Sequence, residues 1–218
     1  MRSNVLLQAL PEGEIRVYAP RAMRLRDIDD LVRSRAAELM EMGRAVDRHL
    51  SDQRRAHPVS DGAPILVEGV PRALRLQRGG RVRGTVQGSE LRLTLPDPDS
   101  DAAVRAAIRS VLSAQALERI RERLQWFAPR IGVHPSGRVA IREQKTRWGS
   151  CSGKGNLNFN WKLIMAPPQA LDYVVIHELC HLVEFNHSPR FWALVERQMP
   201  EYKAWKKWLQ THKEDLFL

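Results

Sequence analysis

The amino-acid sequence predicts an α+β fold, with short strands placed around two long helices and a helical C-terminal part. Apolar residues recur at helical spacing over Leu25–Arg48 and again over Ala102–Phe127. In contrast, Leu91–Leu95 alternates apolar and polar residues, which is the pattern of a half-buried strand. Among 6 Trp, 3 Tyr and 5 Phe residues, only Tyr18 precedes Trp126, so the two halves must build their interiors differently.

Residues 1–100 are predicted to be a β-rich N-terminal region with one helix, Leu25–Arg48. The polar stretch 49–63, which contains Pro58 and Gly62, predicts a loop after that helix. Short apolar runs bounded by turn residues predict strands at Val5–Leu7, Glu14–Tyr18, Ile65–Val67, Ala73–Leu76, Val82–Val86 and Leu91–Leu95.

Residues 101–218 are predicted to form the domain that carries the functional site. Its long helix, Ala102–Phe127, is expected to end at Pro129, because proline removes a backbone donor. Strands are predicted at Val139–Ile141 and Leu157–Met165, on either side of a flexible turn. Three further helices are predicted, from Pro167 to about Phe185, from the Ser188-Pro189 pair onward, and over Glu201–His212.

The overall composition excludes several classes of protein. With 218 residues, 43% of them hydrophobic, the chain can form one good core, and no apolar run is long enough to span a membrane. Pro11, Glu12 and Glu14 interrupt any signal-peptide core, so a cytoplasmic location is expected. Two cysteines, Cys151 and Cys180, do not make a disulfide framework.

The net charge of +10 favours anionic partners such as nucleic acid, nucleotides or acidic peptides. The arginines are scattered rather than grouped, so an ordinary solvated surface explains the charge equally well. Helical spacing predicts that the C-terminal aromatic residues belong to the core rather than to a platform for nucleic-acid bases. These residues are Phe191, Trp192, Trp205 and Trp208.

The segment Tyr173–His181 contains the pattern H-E-x-x-H within an apolar helical run. Residues four apart lie on the same face of a helix, so His177 and His181 can bind one ion. His187 follows five residues later, and Asn186 tolerates the left-handed conformation that would turn the chain back after the helix. Three histidine ligands leave a fourth position for water, which is the arrangement of a catalytic zinc site.

Glu178 is predicted to be the catalytic residue. It adjoins the metal face, so it can take a proton from a water that zinc acidifies and later protonate the leaving group. The pattern alone also fits a helix with two half-exposed histidines, but His187 and the apolar surroundings favour zinc. Cys180 points away from the ligand face and is expected to be a buried thiol. Four histidines lack ligand spacing and are predicted to lie on the surface: His49, His57, His134 and His212.

Several segments resemble the YgjP-like metallopeptidases, which are also described as predicted metal-dependent hydrolases. The resemblance covers about residues 140–195, and its motifs agree with the family in order and spacing. The motifs are Lys145-Thr-Arg147-Trp148-Gly149-Ser150-Cys151-Ser152, Leu157-Asn-Phe-Asn160-Trp161-Lys-Leu163, Tyr173-Val-Val-Ile-His177-Glu178-Leu-Cys-His181-Leu182, Asn186-His187-Ser188 and Phe191-Trp192.

The resemblance implies a zincin-like core, in which a small mixed sheet and a backing helix support an active-site helix that carries the zinc ligands. The backing helix would be Ala102–Phe127. The family is more distantly similar to the SprT-like proteases, which cleave proteins crosslinked to DNA. Metzincins share the spacing of the third histidine, but Glu184 stands where they have glycine, and core packing explains Met199 better than a methionine turn.

Three further residues of these motifs are candidates for substrate binding: Arg147, Asn158 and Asn160. Arg147 could bind a carboxylate or phosphate of the substrate, or pair with a buried acid. The neighbouring tryptophan and glycine favour the structural role. Leu157–Leu163 could be an edge strand that pairs with an extended peptide, or an ordinary strand within the sheet.

Three functions are consistent with the sequence. The favoured one is a zinc-dependent peptidase that acts on a peptide or protein. The second is a metal-dependent hydrolase of nucleotide phosphoanhydrides, although the chain has no Walker-type glycine loop. The third is a non-enzymatic or latent module, such as a latent protease, that binds nucleic acid through its positive surface. No feature predicts a membrane partner, and the sequence does not indicate an oligomeric state.

Overall fold

The computed structural model describes residues 5–10, 13–144 and 147–216, with the backbone alone at residues 53 and 54. These residues form six α-helices and nine β-strands in three small sheets, which confirms the predicted α+β class. Within this part of the chain, no helix is both long enough and apolar enough to cross a membrane.

The chain divides into two compact units, Met1–Pro58 and Val59–Leu218. The division that the sequence suggests, into a β-rich region of residues 1–100 and a hydrolase domain of residues 101–218, stays a prediction about domain organisation.

The first unit contains a hairpin and two helices. Strands β1 (Leu6–Ala9) and β2 (Ile15–Tyr18) pair antiparallel. The expectation of one helix over residues 25–48 is wrong, because α1 (Leu25–Ser34) and α2 (Ala36–Ala56) are separated at Arg35. Helix α2 continues through much of the predicted loop, since residues 49–56 are polar but contain no glycine or proline.

The second unit begins with a four-stranded sheet in the order β3-β4-β6-β5. Its strands are β3 (Pro64–Val67), β4 (Val70–Arg78), β5 (Arg83–Gln87) and β6 (Glu90–Leu95). Strands β4 and β6 are parallel, so the sheet is mixed. Strands β3 and β4 are joined by the turn Glu68-Gly69, in which both residues have positive φ. The two backbone amides of this turn donate to the carbonyl oxygens of Ile164 and Met165.

The long helix α3 (Asp101–Ile131) is the centre of the second unit. The hydroxyl of Ser100 caps it by accepting from the amide of Ala103. The expectation that Pro129 ends the helix is wrong: the helix continues to Ile131 and is closed by Gly132 at φ 82°. Proline removes a single donor here, close to the C-terminus, so the helix can continue for its last residues. The residues that α3 buries are Val104, Arg105, Ala107, Ile108, Leu112, Ala116, Ile120, Leu124, Phe127, Ala128 and Ile131.

A three-stranded mixed sheet follows, in the order β7-β9-β8. Its strands are β7 (Val139–Arg142), β8 (Gly149–Cys151) and β9 (Leu157–Asn160). The predicted strand Leu157–Met165 is too long, because the Asn160 side chain accepts from the amide of Lys162 and starts a 3₁₀ turn, Trp161–Ile164. Strand β9 is central, so the edge-strand hypothesis for Leu157–Leu163 is wrong and the outer strands are β7 and β8.

Three helices complete the second unit: α4 (Pro168–Cys180), α5 (Pro189–Gln198) and α6 (Tyr202–Thr211). Helix α4 packs against α3, β8, α5 and α6. Arg123 of α3 holds it through a bidentate ion pair with Asp172, at 2.6 and 2.8 Å. The helix ends five residues earlier than predicted, at Cys180, and turns carry the chain onward to α5.

A core substitution in α3 tests its central position. Ile120→Ala should lower the free energy of unfolding by about 2–5 kcal/mol, because the Ile120 side chain is fully buried. Arg121→Ala, at an exposed position of the same helix, is the control and should change it by less than about 0.5 kcal/mol. Urea unfolding followed by circular dichroism measures both. Equal losses in the two variants would contradict the packing described for α3.

Candidate metal centre

Three imidazoles meet at the C-terminal end of α4. The Nε2 atom of His177 lies 3.2 Å from Nε2 of His181 and 3.1 Å from Nε2 of His187. Two ligand atoms on a tetrahedral zinc ion, each about 2.0–2.1 Å from the metal, stand about 3.3 Å apart. The spacing of the three nitrogens therefore suits one ion. Among the described residues they form the one group of histidine, cysteine or acidic side chains that could hold a metal.

Hydrogen bonding and burial prepare two of these rings to act as ligands. Nδ1 of His181 lies 3.2 Å from the carbonyl oxygen of Glu184. Donation from Nδ1 to that oxygen leaves the lone pair on Nε2, which faces the other rings. Burial, and then the neighbouring His181 and His187, lower the pKa of His177 to about 3, so its ring is neutral at ordinary pH. Neutral imidazoles are the form that binds a metal.

Aromatic side chains of α5 hold the imidazoles in place. Ser188 caps α5 as the sequence predicts, with its hydroxyl accepting from the amide of Phe191. The buried Phe191 ring stacks on His181 at 4.5 Å, and the Trp192 ring stacks on His187 at 5.6 Å. The C-terminal aromatics therefore belong to the core, as predicted, and two of them also support the histidines.

Glu178 follows the first histidine and is almost completely buried, with 4% of its surface exposed. Its Oε2 atom has no hydrogen-bond partner in the described part of the chain. Burial raises the pKa of this carboxyl to about 8, and the nearby positive charge of Arg147 opposes the increase. A buried carboxyl with a free oxygen, on the residue that follows the first histidine, can accept a proton.

Gly149 of β8 makes room for this carboxylate. A Cβ atom at Gly149 would stand 2.5 Å from Oε1 of Glu178 and 2.8 Å from its Cγ. Any larger residue would therefore displace the Glu178 side chain. From the sequence, Gly149 was interpreted only as a packing residue. Its position next to Glu178 results from the pairing of β8, which the sequence did not predict as a strand.

Of the three candidate substrate residues, the structure brings only Arg147 towards the site. Its side chain is exposed, and it lies close enough to Glu178 to act on the pKa of that carboxyl. No ion pair within 4.0 Å joins Arg147 to a described residue, although its charge acts on the buried carboxyl of Glu178. A role towards the substrate stays a prediction.

Asn158 and Asn160 of β9 lie on the face of the three-stranded sheet that is opposite to Glu178. Gly149 faces Glu178, so its neighbour Ser150 faces away, and Ser150 is the antiparallel partner of Asn158. The Asn158 amide lies 3.4 Å from the Ser150 hydroxyl. Asn160 is buried and donates to the carbonyl oxygen of Gln144. Neither asparagine therefore faces Glu178, and a role for them towards the substrate stays a prediction.

Cys180 is fully buried, which confirms the prediction of a buried thiol. Burial raises the pKa of this thiol to about 12, so it stays protonated and is a poor metal ligand. Met199 is also buried in the core, as predicted.

The raised pKa of Glu178 predicts how the stability of the metal-free protein depends on pH. The unfolded carboxyl loses its proton near pH 4.5, whereas the folded one keeps it to about pH 8. In this window the unfolded state binds fewer protons, so the free energy of unfolding falls as pH rises. Glu178→Gln removes this contribution, and its stability relative to wild type should increase by a few kcal/mol, as an order of magnitude, from pH 5 to pH 8.

The measurement is urea unfolding of the chelator-treated protein at several pH values. Glu118→Gln, at an exposed position of α3, is the control and should follow the wild type. If Glu178→Gln and wild type kept a constant difference across the window, the carboxyl would not be buried as described.

Comparison with known proteins identifies the family. No curated protein matches the sequence. The crystal structure of the metallopeptidase zymogen abylysin from Pyrococcus abyssi is similar over 42% of this chain and 92% of that one, with 27% identity and a TM-score of 0.40. The family model of the YgjP-like metallopeptidase domain matches residues 3–212, nearly the whole sequence. The chain therefore belongs to the YgjP-like metallopeptidase family.

Proposed function

We propose that this metallopeptidase is zinc-dependent and hydrolyses peptide bonds in a peptide or protein, with His177, His181 and His187 as the metal ligands. The observation that carries the proposal is the convergence of three Nε2 atoms, 3.1 and 3.2 Å apart, beside the buried Glu178. Three protein ligands on one side leave a further coordination position for water or substrate.

The chemistry of the ligand set favours zinc. Three imidazoles and no thiolate suit zinc among the abundant divalent metals, whereas calcium and magnesium prefer oxygen ligands. When bound, a zinc ion would acidify a water molecule and polarise the carbonyl group of the scissile bond. The arrangement of α4 on a backing helix and beside a small mixed sheet supports a zincin-like core.

Glu178 is proposed as the general base and, later, the general acid. Its free Oε2 can take the proton of the attacking water and then deliver it to the nitrogen of the departing amine. Burial makes this carboxyl a stronger base than an exposed glutamate, since its ionised form is poorly solvated. A bound positive ion would stabilise the ionised form needed at the start of the reaction.

Strand β8 is proposed to align the substrate. It is an outer strand of its sheet, and it lies against α4 next to Glu178. An extended peptide could add to its free edge through main-chain hydrogen bonds. This assigns to β8 the role that the sequence suggested for Leu157–Leu163. Among the described residues, no observation favours phosphoanhydride hydrolysis or nucleic-acid binding over peptide hydrolysis.

Substitution of Glu178 separates the base from the metal ligands. Glu178→Gln should keep one zinc ion per chain and lose at least about 100-fold in kcat, because general-base catalysis typically contributes that much. His187→Ala should lose zinc affinity as well as activity. Zinc content by elemental analysis and cleavage of a peptide library measure the two properties.

In parallel, the same proteins are incubated with a panel of nucleotides, and the release of phosphate is measured. Phosphate release that depends on Glu178, without peptide cleavage, would replace the proposal with phosphoanhydride hydrolysis. Full peptidase activity of Glu178→Gln would contradict the role of this residue.

Gly149→Ala should displace the Glu178 carboxylate without touching the histidines. We expect kcat to fall by about 100-fold, as misplacement of a catalytic group by about 1 Å can cost, with zinc content unchanged. Gly153→Ala is the matched control, because a Cβ atom there meets no atom within 4 Å. Steady-state kinetics with zinc-loaded protein measure both variants. Equal activity of the two would show that Gly149 is not needed for the position of Glu178.

A further inference from the structure

Lys206 of α6 is a half-buried cation close to the three imidazoles. Its Nζ atom lies 4.4 Å from the centre of the Trp192 ring. The same ring lies 5.8 Å from the His177 ring and 5.6 Å from the His187 ring. The ammonium group is therefore no more than about 10 Å from either imidazole.

Lys206 has no acidic partner in the described part of the chain. Its neighbour on α6, Lys203, is 3.8 Å from the carboxylate of Glu196, but no carboxylate lies within ion-pair distance of Lys206. Glu178 is buried beside Gly149 of β8, and Glu184 contributes its backbone carbonyl to His181. The residue is half-buried through its stem, so its ammonium charge is left available to an anionic group from outside the described chain.

Packing on Trp192 does not neutralise the positive charge of the Lys206 ammonium. The attraction between an ammonium and an aromatic ring is small at a partly exposed site. A divalent cation held by the three histidines would repel Lys206 across about 10 Å. The exposed guanidinium of Arg147 adds a second positive charge near Glu178. With a bound metal, the surroundings of the site would therefore carry several positive charges, and a substrate with a negative group would relieve the repulsion.

We infer that Lys206 binds a carboxylate of the substrate, within about three residues of the scissile bond, since an extended residue spans about 3.3–3.6 Å. This inference rests on the proposed peptidase function and names its substrate class: peptides with an acidic side chain or a free C-terminal carboxylate near the cleaved bond. Lys206 contributes to specificity by binding the substrate, and it takes no part in the transfer of protons.

The first experiment compares matched peptides with the zinc-loaded full chain. A peptide cleaved by the wild type is prepared with Glu or Gln at each of the three positions on either side of the scissile bond, and with a free or amidated C-terminus. Lys206→Met should raise KM at least 10-fold for the acidic or free-acid peptide and change kcat less than twofold. For the Lys206→Met variant, the KM for the acidic or free-acid peptide should equal the KM for the neutral peptide.

Two variants control this result. Lys207→Met, at an exposed neighbouring position of α6, should behave as wild type. Lys206→Arg keeps the charge and should retain most of the preference. The Glu and free-acid peptides distinguish a side-chain carboxylate from a C-terminal one. An equal fall in kcat for acidic and neutral peptides would show that Lys206 only supports Trp192 and would overturn the inference.

Binding separates a failure of this inference from a failure of the proposed function. Calorimetry with zinc-loaded Glu178→Gln protein measures, without cleavage, the affinity for matched acidic and neutral peptides, which are drawn from the peptide library if the wild type cleaves none. A 10-fold preference for the acidic peptide that Lys206→Met removes would support the inference even if the wild type cleaves nothing. Equal affinity for both peptides, or no binding of either, would overturn it.

Discussion

The burial of α4 is the constraint on which the rest of the second unit depends. Nine of its residues, from Ala170 to Cys180, are buried, including Glu178. A helix that is apolar on all sides needs cover on all sides, which here comes from α3, β8, α5 and α6. Its polar groups must then find partners within the protein. Asp172 finds Arg123, whereas Nδ1 of His177 and Oε2 of Glu178 find none among the described residues.

These two groups without hydrogen-bond partners link the candidate metal centre to the folding stability of the second unit. Without a metal, a buried carboxyl with a raised pKa and a buried neutral imidazole both act against folding over part of the pH range. A metal that binds only the folded chain would stabilise it in proportion to its concentration and affinity. In the proposed mechanism, the same burial that would strengthen Glu178 as a base would also link the stability of the second unit to a bound ion.

The sequence predicted those parts of the site that local spacing determines. His177 lies in the last turn of α4, His181 follows this helix directly as its C-cap residue, and His187 is near in sequence, so their convergence needs only a helix and a turn. The strand β8 escaped prediction because Gly149–Cys151 is short and has neither alternation nor bulky residues. Which face of β9 carries Asn158 depends on its register with β8, and register arises from pairing between distant segments.

The position of Lys206 over Trp192 could also not be predicted from the sequence. Helical spacing predicted that the neighbouring aromatic residues of α6 are core, but only the packing of both α5 and α6 on α4 brings the Lys206 ammonium over Trp192 of α5. At Pro129 and at residues 49–56, the sequence predicted the end of a helix or a loop where the structure continues a helix. Their local signals for a break or a loop are weak, and the continuing hydrogen bonds of α3 and α2 override them.

X-ray absorption at the zinc edge of the zinc-loaded full chain tests the central claim most directly. The account predicts a shell of nitrogen and oxygen neighbours at about 2.0–2.1 Å, with the outer-shell scattering of three imidazole rings. A sulfur neighbour at about 2.3 Å would place Cys151 or Cys180 on the metal and contradict the three-histidine site. A spectrum without imidazole scattering would contradict it equally.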